Sequence, residues 1–217
     1  MKQIYYAIQN IIHGKGSNIT KVLSLSLGLT VGILLFSQIA FELSYERCYP
    51  EADNLSWIGE AQKDAKTGDM GSYDRTSHAP MADALRDDLP QLIENTTALY
   101  TYTGNKVYKD DKHLEDLDYI YADEHFFSTF GIPVLQGNSE ELKTPLNAFV
   151  SESFVEQYFA GENPVGKTIT LEKKHVVTIR GIYQDIPENT EFHFDLIISV
   201  RRGEKSYFGG GDWTRND

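Results

Sequence analysis

Residues Val22–Phe41 read VLSLSLGLTVGILLFSQIAF, twenty positions without a single charged side chain. At about 1.5 Å of rise per residue, a helix of that length reaches about 30 Å, the thickness of a bilayer's hydrocarbon core. A buried helix of a soluble protein would also be apolar, but such a run beside a polar remainder predicts a transmembrane helix. A cleaved signal peptide has a shorter apolar core and a small-x-small cleavage site. Here 21 residues precede the run, and Ser37-Gln38-Ile39-Ala40 places Gln where a small residue is needed. The span is therefore read as uncleaved.

Charge divides on either side of this run. The 217 residues carry a net charge of −12, with 32 Asp and Glu against 20 Lys and Arg. Residues 1–41 contain Lys2, Lys15 and Lys21 and no acid, so they contribute +3 and leave −15 to residues 42–217. Lys and Arg beside a span stay cytoplasmic, which puts the N-terminus inside and the acidic remainder outside. The charge also argues against nucleic acid as a partner, since phosphate binding needs a basic surplus. The lone Cys48 excludes an internal disulfide. The expected partition is a basic juxtamembrane segment (1–21), a transmembrane helix (22–43) and an extracytoplasmic domain (44–217). Within residues 4–12 the apolar spacing allows a short amphipathic helix on the inner membrane surface. Ser24, Gly28 and Gly32 recur every four residues on one face of the span, which lets a second helix approach closely and makes them the candidate helix-packing residues.

The outer part reads as an α+β domain, a mixed sheet with short helices, preceded by one N-terminal transmembrane α-helix. Helices are expected at His78–Leu89, where Pro80 suits the first turn; at Glu124–Thr129, capped by Asp123; and from Ser153, which forms a capping box with Glu156, through Phe159. Strands are expected at Ile93–Tyr102, Val107–Tyr108, Tyr119–Tyr121, Ala148–Val150, Thr168–Leu171 and Val176–Tyr183. A half-buried strand is expected where Phe192, Phe194, Leu196 and Ile198 alternate with His193, Asp195, Ile197 and Ser199.

No motif supplies a catalytic constellation. Gly161-Glu-Asn-Pro-Val-Gly166-Lys167-Thr168 fits G-x-x-x-x-G-K-[ST], but a phosphate loop needs a strand entering and a helix leaving. Here a helix enters and a strand leaves, so the stretch reads as a turn. His193 and Asp195 share a strand face without a third ligand to complete a metal site. Ser151 and Ser153 lack the glycines of a nucleophile elbow. No cofactor is called for.

Five blocks follow one another along the chain: IQNIIHGKGSNITKVLSLSLGLTVGI with E-L-S-Y-E-R (Glu42–Arg47), then HAPMADALRDDLPQL, ADEHFFSTFGIPVLQGN, SESFVEQYFAGENPVGKTI and GIYQDIPENTEFHFDLIIS. In that order they resemble MacB/FtsX-type ABC transporter permeases, especially those of Bacteroidetes. Cys48-Tyr49, just after the first block, departs from the more usual pair. The resemblance implies a non-catalytic permease subunit of the bacterial inner membrane whose periplasmic core domain couples ATP hydrolysis by a cytoplasmic ABC ATPase to export or mechanical work. It implies a homodimer or permease heterodimer, and a periplasmic adaptor, lipoprotein or peptide as partner or substrate. It also implies that the present stretch is an N-terminal portion, with further spans beyond it. A single-span receptor with a ligand-sensing outer domain is the alternative left open by the residues themselves.

Overall fold

A computed structural model describes residues 5, 6, 9, 17–64, 66–78, 80–100, 106–115 and 117–200. The chain divides into two compact units, Met1–Tyr45 and Glu46–Asp217. In the first, helix α1 (Ser17–Leu43) is continuous over 27 residues. Its stretch Ile19–Leu43 is long and apolar enough to cross a membrane, by length and composition. The hydroxyls within it bond back along the helix, Ser26 to the Leu23 carbonyl at 3.0 Å and Thr30 to that of Ser26 at 2.8 Å. Such bonds satisfy polar side chains without water, as a hydrocarbon environment demands. Of the expected amphipathic helix, only Tyr5, Tyr6 and Gln9 fall among the described residues; all three have helical backbone.

The second unit is α+β, as its alternation of short helices and strands leads one to expect. Among the described residues a small antiparallel hairpin, β1 (Glu60–Lys63) with β2 (Met70–Asp74), is separate from a nine-stranded mixed sheet. The large sheet runs β3 (Leu99–Tyr100), β6 (Tyr119–Ala122), β11 (Leu196–Ser199), β8 (Asn147–Ser151), β10 (His175–Tyr183), β9 (Thr168–Leu171), β4 (Val107–Lys109) and β5 (Lys112–His113). β7 (Val134–Gln136) pairs with the far end of β10. The β6–β11 and β8–β10 pairs are parallel and the others antiparallel.

Each face of the sheet carries its own core. Ile120, Ala122, Phe149, Ile197 and Tyr183 pack with helix α3 (Phe126–Phe130) on one side. Ala148, Val150, Leu196, Ile198, Val177 and Ile179 pack with helix α4 (Glu152–Phe159) on the other. An eight-residue helix is too short to persist alone in water. What holds α4 is its apolar face, where Phe154 is fully buried and Phe159 nearly so, each contributing about 1.5–3 kcal/mol. Central strands covered on both faces lose the apolar–polar alternation of a half-buried strand. This explains why β11 is buried at every residue and is confined to Leu196–Ser199, whereas an alternating strand from Phe192 was expected.

β10 changes faces partway along. Ile179 pairs with Ala148 and Gly181 with Phe149, so Arg180 is an extra residue in β10. This β-bulge shifts the inside–outside phase by one: Val177 and Ile179 belong to one core and Tyr183 to the other. Two glycines make room for it. A Cβ on Gly181 would lie 2.2 Å from Phe149 Cε1, and one on Gly137 (φ +97°) would lie 2.3 Å from the Arg180 carbonyl oxygen.

Local boundaries differ from the sequence expectation for stated reasons. Helix α2 spans Met81–Asp88, with Pro80 preceding it. Among Ile93–Tyr100 only Leu99–Tyr100 is strand, because Thr96 Oγ1 donates to the Ala82 carbonyl and Thr97 Oγ1 to Asp123; residues 101 and 102 lie outside the described part. Asp123 serves the turn before α3, accepting from the His125 N–H at 3.0 Å. The cap of α4 is Ser151, which accepts from the Phe154 N–H at 3.1 Å. Ser153 lies inside the helix instead, its N–H and Oγ both donating to Asp185.

Candidate functional site

The residues that follow α1 enter a polar network with the segment 189–192. Glu46 has φ +60°, a left-handed backbone that a non-glycine residue keeps only when its surroundings hold it. Its N–H donates to the Asn189 carbonyl at 2.9 Å. Its carboxylate accepts from the Glu191 N–H at 2.7 Å and from Thr190 Oγ1 at 2.8 Å. Since the one hydroxyl proton of Thr190 goes to Glu46, the Tyr49 hydroxyl must donate to Thr190 Oγ1, 2.8 Å away. The Phe192 N–H also donates to that oxygen, at 3.1 Å. Bonds to a charged acceptor are worth about 1.5–3 kcal/mol each, roughly twice a neutral one.

Apolar contacts back this strap. The Tyr49 ring lies 5.1 Å from Phe130 and 6.5 Å from Phe192, and Phe130 lies 4.9 Å from Phe192. Burial pushes the Tyr49 phenol well above its ordinary range and raises the Cys48 thiol. A depression of about 230 Å³ lies beside it, between Cys48–Pro50, Phe130–Pro133 and Gln184–Pro187. The strap was not foreseen from sequence as a site. Its signal was present, since Glu46 and Asn189–Phe192 fall in two of the blocks on which the family resemblance rests.

The sequence candidates are distributed as follows. Ser24, Gly28 and Gly32 lie at successive turns of α1, and a Cβ on either glycine would meet nothing within 4 Å. Among the described residues, nothing therefore covers the helix at these two glycines. The Gly161–Thr168 stretch runs from α4 into β9. Its amides are turned inward: Gly161 donates to Val155, Glu162 to Phe159, Gly166 to Ile179 and Lys167 to Pro164, all to carbonyls, and Val165 donates to Asn163 Oδ1. Lys167 Nζ is 2.9 Å from Glu162, whose carboxyl it holds below the usual range. Amides already bonded inside the fold cannot cradle a phosphate.

His193 is exposed and precedes β11. Asp195 turns toward Asp118, its Oδ2 accepting that residue's N–H at 3.1 Å, and burial raises its pKa. Among the described residues no three His, Cys, Asp or Glu side chains are grouped to hold a metal.

The profile of the MacB-like periplasmic core domain family matches residues 22–215. No curated protein matches significantly. Among solved structures, a domain of a permease-type protein from Porphyromonas gingivalis aligns at 21% identity and TM-score 0.49, covering 58% of each chain. The periplasmic region of MacB from Actinobacillus actinomycetemcomitans aligns at 17% identity and TM-score 0.48, covering 70% of this chain and 69% of the other. The extracellular domain of the noncanonic ABC-type transporter YknZ from Gram-positive bacteria aligns at 11% and 0.44, covering 57% and 62%. The chain thus spans less than two thirds of the first of these structures.

Proposed function

The chain belongs to the MacB-like periplasmic core domain family, and from that premise we propose that it works as the non-catalytic permease part of an ABC transporter. In this reading a cytoplasmic ATPase hydrolyses ATP, and the outer domain turns the resulting movement into export or mechanical work at the cell envelope. The observation that carries the reading is the reach of the family match, which runs without a break from the apolar helix through the outer domain. The basic N-terminal flank supports a cytoplasmic N-terminus and a periplasmic residue 44 onward. The recurrence of the small residues Ser24, Gly28 and Gly32 supports association of α1 with another span, in a homodimer or a permease heterodimer. The strap at Glu46 supports mechanical transmission, because it fastens the chain leaving α1 to the loop before the central strand β11. Two-state movement of packed elements, rather than bond chemistry, is the expected output.

Three measurements test this. Protease added outside spheroplasts should cut residues beyond 44; full protection there would reverse the orientation. Reconstituting the chain in liposomes with candidate cytoplasmic ABC ATPases should alter the turnover of a cognate one. Hydrolysis of ATP by the purified chain alone would refute the non-catalytic reading.

A further inference from the structure

Among the described residues the β1–β2 hairpin forms no ladder with the large sheet, and every residue of β2 is exposed. A two-stranded hairpin is marginal in water by itself, so its position depends on what grips its base. Two of those grips converge on one short segment. Arg75, just after β2, makes a bidentate pair with the Glu191 carboxylate at 3.0 and 2.7 Å. Trp57, just before β1, lies 5.2 Å from Phe192 and carries the Arg75 guanidinium 4.6 Å above its ring. A third grip is separate: Glu60 accepts from the His78 backbone N–H and pairs with its ring.

Glu191 is held from both sides. Its side chain grips the hairpin through Arg75, while its backbone N–H is bonded to Glu46. Phe192 has the same double attachment, its ring on Trp57 and its N–H on Thr190, which in turn donates to Glu46. We propose that the hairpin is a conformational reporter of the strap: when Glu46 releases Thr190 and Glu191, the 190–192 segment shifts and the hairpin base loosens with it. The device deepens the mechanical reading above by naming the element that would move in the periplasm. Coupling of this kind is reciprocal, so loosening the hairpin must in turn loosen the strap.

Hydrogen–deuterium exchange on the full chain in lipid nanodiscs, without any ATPase, tests the device independently of transport. Glu46→Ala should speed exchange of residues 60–63 and 70–74 about tenfold or more and leave β8 and β11 protected. Arg75→Ala acts at an exposed side chain and should leave the fold intact. It should speed exchange of the 46–49 and 189–192 segments several-fold. In the double variant the hairpin should exchange no faster than with the stronger single change. Multiplying effects in the double variant, or unchanged exchange at 46–49 in Arg75→Ala, would overturn the proposal. If Glu46→Ala unfolds the domain, the Arg75→Ala arm decides alone.

Discussion

Replacing Gly181 by Ala tests the account of the bulge and of the two cores it separates. The added Cβ would lie 2.2 Å from Phe149 Cε1, 2.5 Å from Phe149 Cδ1 and 2.5 Å from the Gln136 carbonyl oxygen. Carbon atoms settle at about 3.5–4.0 Å, so relief requires movement of more than about 1 Å. Phe149 cannot simply swing aside, because it is fully buried and packs 5.0 Å from Phe127. Gln136 belongs to β7 and pairs with Ile182, so moving it opens the β7–β10 ladder. Overpacking costs about 1–3 kcal/mol, and a lost ladder bond about 1 more. The sum, about 2–4 kcal/mol, lowers the melting temperature by about 5–15 °C at the usual sensitivity of domains this size. Near-ultraviolet circular dichroism of the full chain in micelles, which reads aromatic packing, follows the transition. Gly166→Ala is the comparison: its φ is +87° but no atom lies within 4 Å of the added carbon. It should cost only the backbone penalty of about 1 kcal/mol. Pairing Gly181→Ala with Phe149→Leu should destabilise less than the two changes summed. Equal melting of the Gly181 and Gly166 variants would refute the steric argument.

Three further outcomes are expected. Lys167→Ala should leave ATP binding absent by calorimetry and change stability by less than about 1 kcal/mol, as befits an exposed pair; ATP binding abolished by the change would overturn the turn assignment. Gly28→Leu with Gly32→Leu should weaken span–span energy transfer in vesicles and leave the melting of the outer domain unchanged, whereas unaltered transfer would remove this face from the contact. Burial raises the Asp195 pKa, so its contribution to stability is complete below the ordinary carboxylate pKa of about 3.9 and is lost as pH rises through the folded value. Asp195→Asn should therefore gain stability over the parent chain as pH rises from about 3.5 to 7, read from urea midpoints; a constant difference across that range would contradict the assignment.

Local rules carried the sequence reading a long way. An uncharged run of the right length reveals α1, and apolar strands bounded by turns reveal β8, β9 and β10. The helix-then-strand order at Gly161–Thr168 was enough to reject a phosphate loop. Long-range facts stayed hidden because no local rule encodes them. Nothing around Arg180 announces that it is surplus to the pairing with β8; the reason for Gly181 lies in the ring of Phe149. The threonines of 96 and 97 favour strand by propensity, yet their hydroxyls are bonded to Ala82 and Asp123. Ser153 has the spacing of a cap, but Ser151 takes that place because β8 runs directly into the helix. The strap joins residues 144 and 145 positions apart, which only the closed fold can bring together.

The tether leading to the strap is very short. Only Ser44 and Tyr45 separate the last helical residue, Leu43, from Glu46. Three residue steps of fully extended chain reach about 10 Å, and part of that reach is already taken up. The Ser44 N–H bonds back to Ala40 and Phe41, and that of Tyr45 to Glu42. So little slack bears on the mechanical reading proposed above: a displacement of the helix end would reach Glu46 within three residues. Lengthening the connector by a handful of Gly and Ser residues would then act as a clutch, absorbing the displacement before it arrives.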